Sequence, residues 1–306
     1  MLLILLSIPL ILVACYLAYK RPIWSIAFIL VLLPTFLIHW GAVGLPINTL
    51  DLLIIVSALT WALTHFNEVK VGAKKYGKVI IILELWFIVA NISLNFSPDP
   101  VVALGVLKSY FLLPIIFSVQ TLFIVQTKKD VQILLSALTL LVLYNSAFGL
   151  LQLAFPDGLY GFNSIPNPMW ENPGQFRITG ILQYPNALGL LIAPLLPLIA
   201  TGMLFFEKKN ERLIVLIAIV FGIFAILFAK SKGGLLGLIL TTLLALIYQY
   251  RKRIWLIGIS FALFVLLLLP YTDTIISKAG LSSFSAQLRF SQWREAVYLI
   301  SDNPII

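Results

Sequence analysis

Charged side chains are scarce in this sequence. Asp, Glu, Lys and Arg together supply 33 of its 306 residues, or 11%, whereas soluble domains carry about 25%. The hydrophobic set accounts for 61% of the chain, and the mean hydropathy is +1.04. A soluble globule of this length cannot bury so much apolar surface, so a soluble protein is excluded.

Metal ligands are equally few. The one cysteine, Cys15, excludes an intrachain disulfide and any zinc or iron–sulfur site built from cysteines. The two histidines, His39 and His65, leave almost nothing for a histidine-based metal site. No Asp-x-Asp pair occurs, so the sequence lacks the clustered carboxylates of a metal-dependent transferase. The sequence predicts neither a metal nor another cofactor.

The apolar residues fall into runs long enough to cross a bilayer, which takes about 20 residues per helix. Ten runs qualify, and they predict an all-α polytopic membrane protein with about ten transmembrane helices. The predicted spans are 2–19, 22–40, 46–65, 78–95, 101–126, 131–154, 184–206, 212–229, 233–250 and 253–270.

Basic residues between these runs predict the orientation of the chain. Fourteen of the 21 Lys and Arg residues lie in every second connection, at positions 20–21, 70–78, 128–129, 208–212 and 251–253. Since basic connections stay in the cytoplasm, the N-terminus, the loop 155–183 and the tail from residue 271 are predicted to lie outside. The net charge of +9 therefore reflects topology, and the sequence predicts no nucleic-acid partner.

The loop 155–183 is the first of two long external segments. Its prolines and glycines are too dense for a continuous helix. Its aromatic residues indicate either an ordered cap on the membrane surface or a simple interfacial belt. Arg177 is the only basic residue in this loop, and it shortly precedes the next membrane entry at Tyr184-Pro185-Asn186.

The second external segment runs from residue 271 to 306 and contains a helical pattern. Apolar residues recur at spacings of three and four, at Ala286, Phe290, Trp293, Val297 and Ile300. This spacing predicts an amphipathic helix over about 285–300 that lies in the membrane interface. The alternative is a plain surface connector. Pro304 cannot continue the helix, which should end just before it.

The external turn Lys230-Ser231-Lys232-Gly233-Gly234 carries two cations on the side where few are expected. Lysines that snorkel to the interface are one interpretation. The second interpretation is a bound anion. It is favoured because the remaining external turns lack Lys. Together with Arg177, Arg289 and Arg294, this turn predicts a site for a lipid-linked diphosphate, since Arg and Lys both bind phosphate.

Three further charges fall inside or at the edges of the spans. Glu84 lies about 9 Å into the fourth span, at 1.5 Å per residue, and Lys108 enters the fifth span from the opposite side. We expect Glu84 to bond to Asn91 or to another helix, with a transport or relay role as the alternative. Asp51 lies near the outer end of the third span, where it is expected to reach the headgroups.

The order of the external motifs resembles the O-antigen ligase and polymerase superfamily of bacterial envelope proteins, which includes capsule and teichuronic-acid polymerases. The resemblance covers about residues 150–306. The motifs that carry it are Arg177-Ile178-Thr179-Gly180, Tyr184-Pro185-Asn186-Ala187, Lys230-Ser231-Lys232-Gly233-Gly234, Arg289-Phe290, Trp293-Arg294-Glu295-Ala296 and Asp302-Asn303-Pro304.

This resemblance implies transfer of a glycan from an undecaprenyl diphosphate carrier to a hydroxyl acceptor on the outer face of the bacterial plasma membrane. It requires no metal and no nucleotide. The donor diphosphate would be bound by Arg177, Lys230, Lys232 and Arg289. Lys232 stands where the family usually has Arg, so a bidentate grip is not expected there. The cleft would be lined by Trp293, Arg294, Tyr184 and Asn186.

The family pattern also divides the chain into a transmembrane bundle, 1–154, and a ligase-like region, 155–306. In the family, the Asn-Pro step is followed by a Gly-x-Gly turn, an external region with a His, and further spans. The resemblance therefore implies that the general base lies beyond residue 306, and that this chain is either a fragment or an inactive product.

Two other function classes stay open. A transporter or flippase for lipid-linked or anionic substrates is favoured by Pro194 and Pro197 in the seventh span, although the first half of the chain has no matching pair. A non-catalytic membrane scaffold is the third possibility.

Overall fold

The computed structural model of the protein describes residues 2–40, 47–155, 169–172, 175–249 and 284–302. Within these ranges the chain is mostly helical, with one two-stranded hairpin. Met1–Ala245 form one compact unit, and Leu246–Ile306 form a second. The division at residues 154 and 155 stays a prediction.

Six α-helices precede residue 125. They are α1 (Leu2–Lys20), α2 (Pro22–Val31), α3 (Thr49–Thr64), α4 (Phe66–Leu94), α5 (Pro100–Val106) and α6 (Leu113–Ile124). A 3₁₀ segment, Leu33–Leu37, follows α2, and a π-helical segment, Leu107–Leu112, joins α5 to α6. The helices α5 and α6 thus form one long apolar rod with a widened turn in its middle.

Five α-helices and the hairpin follow. They are α7 (Lys128–Ala154), β1 (Met169–Asn172), β2 (Gln175–Arg177), α8 (Pro185–Gly202), α9 (Lys209–Phe228), α10 (Lys232–Gln249) and α11 (Phe284–Asp302). A short 3₁₀ segment, Met203–Phe205, extends α8. The strands β1 and β2 are antiparallel and pair Met169 with Arg177.

Several helices are long and apolar enough to cross a membrane, which confirms the prediction of a helical membrane protein. Five candidates are found among the described residues: Phe66–Leu94, Pro100–Ile124, Lys128–Ala154, Pro185–Phe205 and Lys209–Phe228. Four shorter apolar helices accompany them, at Ser7–Lys20, Pro22–Val31, Thr49–Thr64 and Lys232–Ile247. The count of ten spans stays a prediction, and its tenth member, 253–270, lies outside the described residues.

Local sequence explains where many helices begin. The side chains of Asn48 and Thr127 each accept a hydrogen bond from the third residue of the following helix, and Asp51 and Asp130 bond back to the capping residue. These are reciprocal capping boxes, which satisfy two N–H groups that a helix start leaves unpaired. Proline occupies the first turn of α2, α5 and α8, where its missing N–H costs nothing.

Two predicted boundaries are wrong. The second span does not run as one α-helix to residue 40, because α2 ends at Val31. Pro34 explains this end, since its ring clashes with the carbonyl four residues earlier. The basic segment 70–78 is not a loop either. It lies inside α4, interrupted only by the non-helical backbone of Tyr76, because Lys is a good helix former and no proline stops the helix.

The largest described cluster of buried apolar residues in the first unit joins α7, α8 and α9. Its buried core is aliphatic and includes Leu188, Ile192, Leu196, Ile199, Val215 and Ile226. Gly222 allows α9 to approach α8 closely, since a methyl group on Gly222 would lie 2.6 Å from Cδ2 of Leu196. Such close van der Waals packing is what holds membrane helices together where lipid removes the hydrophobic driving force.

Helix α4 shows the opposite situation. Among its described residues only Gly72 is buried, and Glu84 and Asn91 are both exposed. The structure describes no hydrogen bond for Glu84, so the expected bond to Asn91 or to another described helix is not found. The two residues lie seven positions apart, about two turns, which is too far for direct contact.

Both segments that the sequence predicts to be external contain regular structure among their described residues. The hairpin β1–β2 lies within the loop 155–183, where the sequence predicted no strands. Helix α11 confirms the predicted helix near 285–300, and it ends at Asp302. On the predicted apolar face, Phe290 and Trp293 are more than half exposed, and their rings meet edge to face with centroids 5.5 Å apart.

Candidate functional site

The candidate site lies at one end of the first unit, which we call the hairpin end. Here α7 and α9 end, α8 and α10 begin, and the strand β2 leads into the bundle. Directly after β2, Ile178 is fully buried in the core, and its N–H donates to the carbonyl of Phe228 at 3.5 Å. This contact joins the hairpin to the last turn of α9.

Arg177 links three chain segments through its guanidinium group. Its Nε donates to the carbonyl oxygen of Ala229 at 2.8 Å. Its Nη2 donates to Oδ1 of Asn186 at 2.9 Å and to the carbonyl oxygen of Lys230 at 3.2 Å. The carbonyls at a helix C-terminus have no partner within the helix and carry its negative dipole end, so a guanidinium fork suits them. Arg177 thereby fixes the turn after α9.

The backbone of that turn is unusual at Lys230. Its φ is +47°, in the left-handed region that residues other than glycine rarely adopt. The N–H of Lys230 donates to the carbonyl of Leu227 at 3.0 Å, which closes the last turn of α9. Glycine usually occupies this position after a helix. A lysine here accepts backbone strain, and its side chain is exposed, with no partner among the described residues.

Ser231 begins the next helix from a buried position. Its side chain is 2% exposed, and its Oγ accepts a hydrogen bond from the N–H of Gly234 at 3.1 Å. This is an N-cap, which explains why α10 starts at Lys232. The side chain of Lys232 is exposed at the first turn, where the helix dipole is positive. The turn 230–232 therefore presents two ammonium groups beside the N-terminus of a helix.

A close crossing of α8 and α10 fixes the position of this turn. A methyl group on Gly234 would lie 2.8 Å from both the Cα and the carbonyl carbon of Gly189. A methyl group on Gly189 would in turn lie 2.5 Å from Oγ of Ser231. Small residues at such crossings let helix backbones touch in a membrane. The two glycines of the Gly233-Gly234 pair thus differ, since Gly233 has only Leu190 nearby, at 3.8 Å.

Gln152, near the end of α7, holds the segment after β2. Its Oε1 accepts from the N–H groups of Thr179 and Gly180, at 2.8 and 3.1 Å. Its Nε2 donates to Oγ1 of Thr179 and to the carbonyl of Gly180, both at 3.1 Å. Gly180 has a φ of +61°, and a methyl group there would lie 2.8 Å from the carbonyl oxygen of Asn145. Glycine is therefore required at this bend.

The structure brings together four of the predicted site residues. Arg177 contacts both Asn186 and the backbone of Lys230, and Lys232 follows two residues later. Tyr184 is the residue before α8, and its side chain is 60% exposed. Gln152 was not among the predicted site residues, since its only signal in the sequence is an amide at the end of an apolar span, where an unpaired polar group is costly.

The other predicted site residues lie in the second unit. Trp293 and Arg294 are exposed on α11. The side chain of Arg289 lies outside the described residues. Their roles in a cleft stay predictions.

A second polar contact lies between α3 and the π-helical segment. Nζ of Lys108 lies 2.5 Å from Oδ2 of Asp51, and the two side chains are 16% and 5% exposed. The same carboxylate oxygen accepts from the N–H of Asn48 at 3.1 Å. The expectation that Asp51 reaches the headgroups is therefore wrong, because its carboxylate is buried in an ion pair. The sequence analysis did not pair these residues, which are far apart in the chain.

The described residues contain no group of three or more His, Cys, Asp or Glu side chains suited to a metal ion. No protein-family model, curated protein or solved structure matches the chain. The chemistry of the hairpin end therefore has to be argued from its own geometry.

Proposed function

We propose that the hairpin end binds the diphosphate of an undecaprenyl-linked glycan, and that the protein transfers this glycan to a hydroxyl acceptor on the outer face of the plasma membrane. The observation that supports this most is the meeting of Arg177, Asn186, Lys230 and Lys232 at one turn. These residues come from three segments of the family motifs that the sequence resembles. The ten-span topology, with this end outside, is part of the proposal.

The proposed ligand contacts are made by the two lysines. Lys230 and Lys232 are exposed, on either side of the buried Ser231. A diphosphate placed at the turn would meet two ammonium groups and the N–H groups of the first turn of α10, a combination that favours anions. Arg177 acts as a positioning residue, because its described bonds to the Ala229 and Lys230 carbonyls hold the turn in place.

The reaction we propose is a substitution at the anomeric carbon. The acceptor oxygen forms a bond to this carbon while the bond to the carrier diphosphate breaks. The diphosphate leaves with the bonding electron pair, and the hydroxyl proton passes to a general base. Negative charge grows on the leaving oxygen, so fixed cations beside it lower the barrier.

Binding of undecaprenyl diphosphate to purified protein, followed by native mass spectrometry, tests the site. Replacing both site lysines, with Lys230→Gly and Lys232→Gln together, should weaken binding at least about tenfold, since each lost ion contact is worth about 1 kcal/mol or more. Lys209→Gln is the matched control, because it removes an exposed lysine at the opposite end of α9.

Equal affinities in the double variant and in wild type would contradict the site. The reaction is tested separately in cells that carry the gene. There the double variant should abolish surface polysaccharide while its membrane level stays unchanged, and normal polysaccharide would remove the transferase proposal.

Transport is the second candidate, and the pair of Lys108 and Asp51 favours it. Charged side chains inside membrane segments often mark ion or substrate pathways, and π-helical turns such as Leu107–Leu112 recur at functional sites. Proteoliposomes that contain labelled undecaprenyl diphosphate test this idea. Flipping that depends on the protein and is lost in Asp51→Asn would support transport, and flipping at the rate of empty liposomes would exclude it.

A further inference from the structure

A cavity lies at the end of the first unit opposite the hairpin end. It has a volume of about 510 Å³ and lies between α1, α2, α7 and the segment before α9. A second cavity of about 220 Å³ lies between α7 and α9. The two share Ser136, Leu140, Phe206 and Glu211 in their linings. They form one groove along α7, which we call the α7 groove.

The α7 groove is apolar along most of its length and polar at one end. Its apolar lining includes Leu17, Trp24, Phe28, Val31, Ile133, Leu140 and Leu143. The polar residues Lys129, Gln132 and Glu211 lie near the first turns of α7 and α9. At this same end α1 ends in Lys20 and α2 begins after Arg21. The polar mouth therefore lies at the basic end of four helices.

The groove has the length of a lipid acyl chain. Lys129 and Leu143 are 14 residues apart on α7, which corresponds to about 21 Å at 1.5 Å per residue. Half of a hydrocarbon core is about 15 Å thick. A chain that enters at the basic end can therefore lie in the groove over the full depth of its own leaflet.

Charge at the mouth selects the headgroup. Two nearby acids have lysine partners, since Glu207 lies 3.5 Å from Lys128 and Glu211 lies 3.9 Å from Lys208. The carboxylate of Asp130 accepts hydrogen bonds from the N–H groups of Gln126 and Thr127. Lys129 is exposed, and the described residues offer it no ion pair or hydrogen bond. The ammonium group of Lys129 thus lies at the entrance of an apolar groove without a described acidic partner.

Other polar groups at the mouth serve to shape it. Gln132 Nε2 donates to the carbonyl of Phe205, and Arg212 Nε donates to the carbonyl of Phe206 at 2.8 Å. These bonds hold the ring of Phe206, which is 4% exposed, against both parts of the groove. The groove is therefore built by fixed side chains on several elements.

We infer that the α7 groove binds an anionic phospholipid of the cytoplasmic leaflet, with one acyl chain along α7 and the phosphate beside Lys129. The positive-inside pattern predicts that the basic end faces the cytoplasm, and that leaflet carries the anionic lipids. Basic pockets between membrane helices bind such headgroups. This site is separate from the hairpin end and does not depend on the proposed glycan transfer.

Native mass spectrometry of the full chain in detergent, titrated with phosphatidylglycerol or with phosphatidylcholine, tests the headgroup. Lys129→Gln should weaken phosphatidylglycerol binding about fivefold, as expected for one lysine near a lipid headgroup, and should leave phosphatidylcholine binding unchanged. Lys128→Gln is the matched control, because Lys128 is its neighbour, is paired with Glu207 and does not line the groove. Equal effects of the two variants would overturn the headgroup assignment.

Filling the groove tests the acyl chain. Leu140→Trp places a large ring in the space that both cavities share, and it should reduce binding of both lipids by at least about fivefold. Leu151→Trp is the control, since Leu151 is similarly exposed on α7, at 46% against 48%, but lies outside the groove. Unchanged binding in a folded Leu140→Trp protein would contradict the proposal. If that variant fails to fold, the comparison of Lys129→Gln with Lys128→Gln decides alone.

Discussion

Arg177 and Lys108 are both cations held at fixed positions in the same unit, but their described partners differ. Arg177 donates to two backbone carbonyls and to one amide oxygen. Lys108 faces the buried carboxylate of Asp51. The guanidinium fork of Arg177 joins three chain segments, whereas the ammonium group of Lys108 balances one charge. The first arrangement shapes a turn, and the second makes a buried acid tolerable.

The difference also concerns what removal of each cation leaves behind. Without Arg177, the carbonyls of Ala229 and Lys230 sit in a turn whose Lys230 side chain is exposed, so water can replace the lost donor. Without Lys108, the carboxylate of Asp51 stays buried, and among the described residues its remaining hydrogen-bond donor is the backbone N–H of Asn48. The comparison therefore predicts a large loss of stability at Lys108 and a smaller one at Arg177.

The largest expected effect is that of Lys108→Met. It should lower the free energy of unfolding by about 3–5 kcal/mol, the usual cost of leaving one partner of a buried ion pair alone. Thermal unfolding in detergent measures it. The double variant Lys108→Met with Asp51→Asn should recover most of this loss, because the buried charge is gone. No recovery in the double variant would show that the pair is not coupled.

The crossing of α8 and α10 gives the next largest effect. Gly234→Ala should destabilise the protein by about 1–3 kcal/mol, the typical cost of overpacking, because its methyl group meets the backbone of Gly189 at 2.8 Å. Gly233→Ala is the control, with only Leu190 at 3.8 Å. It should leave the melting temperature unchanged or slightly raised, since Ala favours helix over Gly. Equal losses in both variants would contradict the crossing.

The variant Arg177→Lys separates the effect of the positive charge from the effect of the guanidinium hydrogen bonds at the hairpin end. The variant keeps one positive charge but cannot donate to Ala229, Lys230 and Asn186 with the same fork. We expect a loss of about 1 kcal/mol in stability, typical of lost hydrogen bonds at an accessible site, and a clear loss of undecaprenyl diphosphate binding. Binding equal to wild type would mean that Arg177 acts through its charge alone and does not position the turn.

The smallest effect on stability is expected for Lys230→Gly. Unlike the destabilising variants above, it should raise the free energy of unfolding or leave it unchanged. Glycine adopts a φ of +47° without strain, so the variant should be as stable as wild type or more stable, by up to about 1 kcal/mol. It should nevertheless bind undecaprenyl diphosphate less tightly, because one cation is lost. Lys230→Ala is the matched control, since it loses the same charge but keeps the strained backbone. A Gly variant less stable than the Ala variant would contradict the left-handed turn.

Much of the fold could be predicted because it depends on local properties of the sequence. Apolar runs predicted the described helices to within a few residues in α3, α7, α8 and α10. The capping residues Asn48 and Thr127 and the proline in the first turn of α8 mark helix starts in the sequence itself. The exceptions are also local, since Pro34 shortened the second span and lysines extended α4.

The candidate site was predictable only in part. The motif order placed Arg177, Asn186, Lys230 and Lys232 in one group. It did not show that the guanidinium group of Arg177 donates hydrogen bonds to the carbonyls that follow α9. It also gave no sign of Gln152, whose bonds to Thr179 and Gly180 cross 27 and 28 residues. Such contacts depend on how α7 packs against the segment after β2, and residue spacing in the sequence does not predict this packing.

The sequence by itself determined that this chain is a helical membrane protein and where most of its described helices begin and end, because hydropathy, proline and capping residues act over a few positions. Only the tertiary structure decided which polar groups meet. It paired Lys108 with Asp51 across 57 residues, joined Arg177 to the end of α9, and left the α7 groove between helices that are distant in the chain. These contacts follow from the packing of whole helices, where glycines such as Gly189 and Gly234 set how closely two backbones approach.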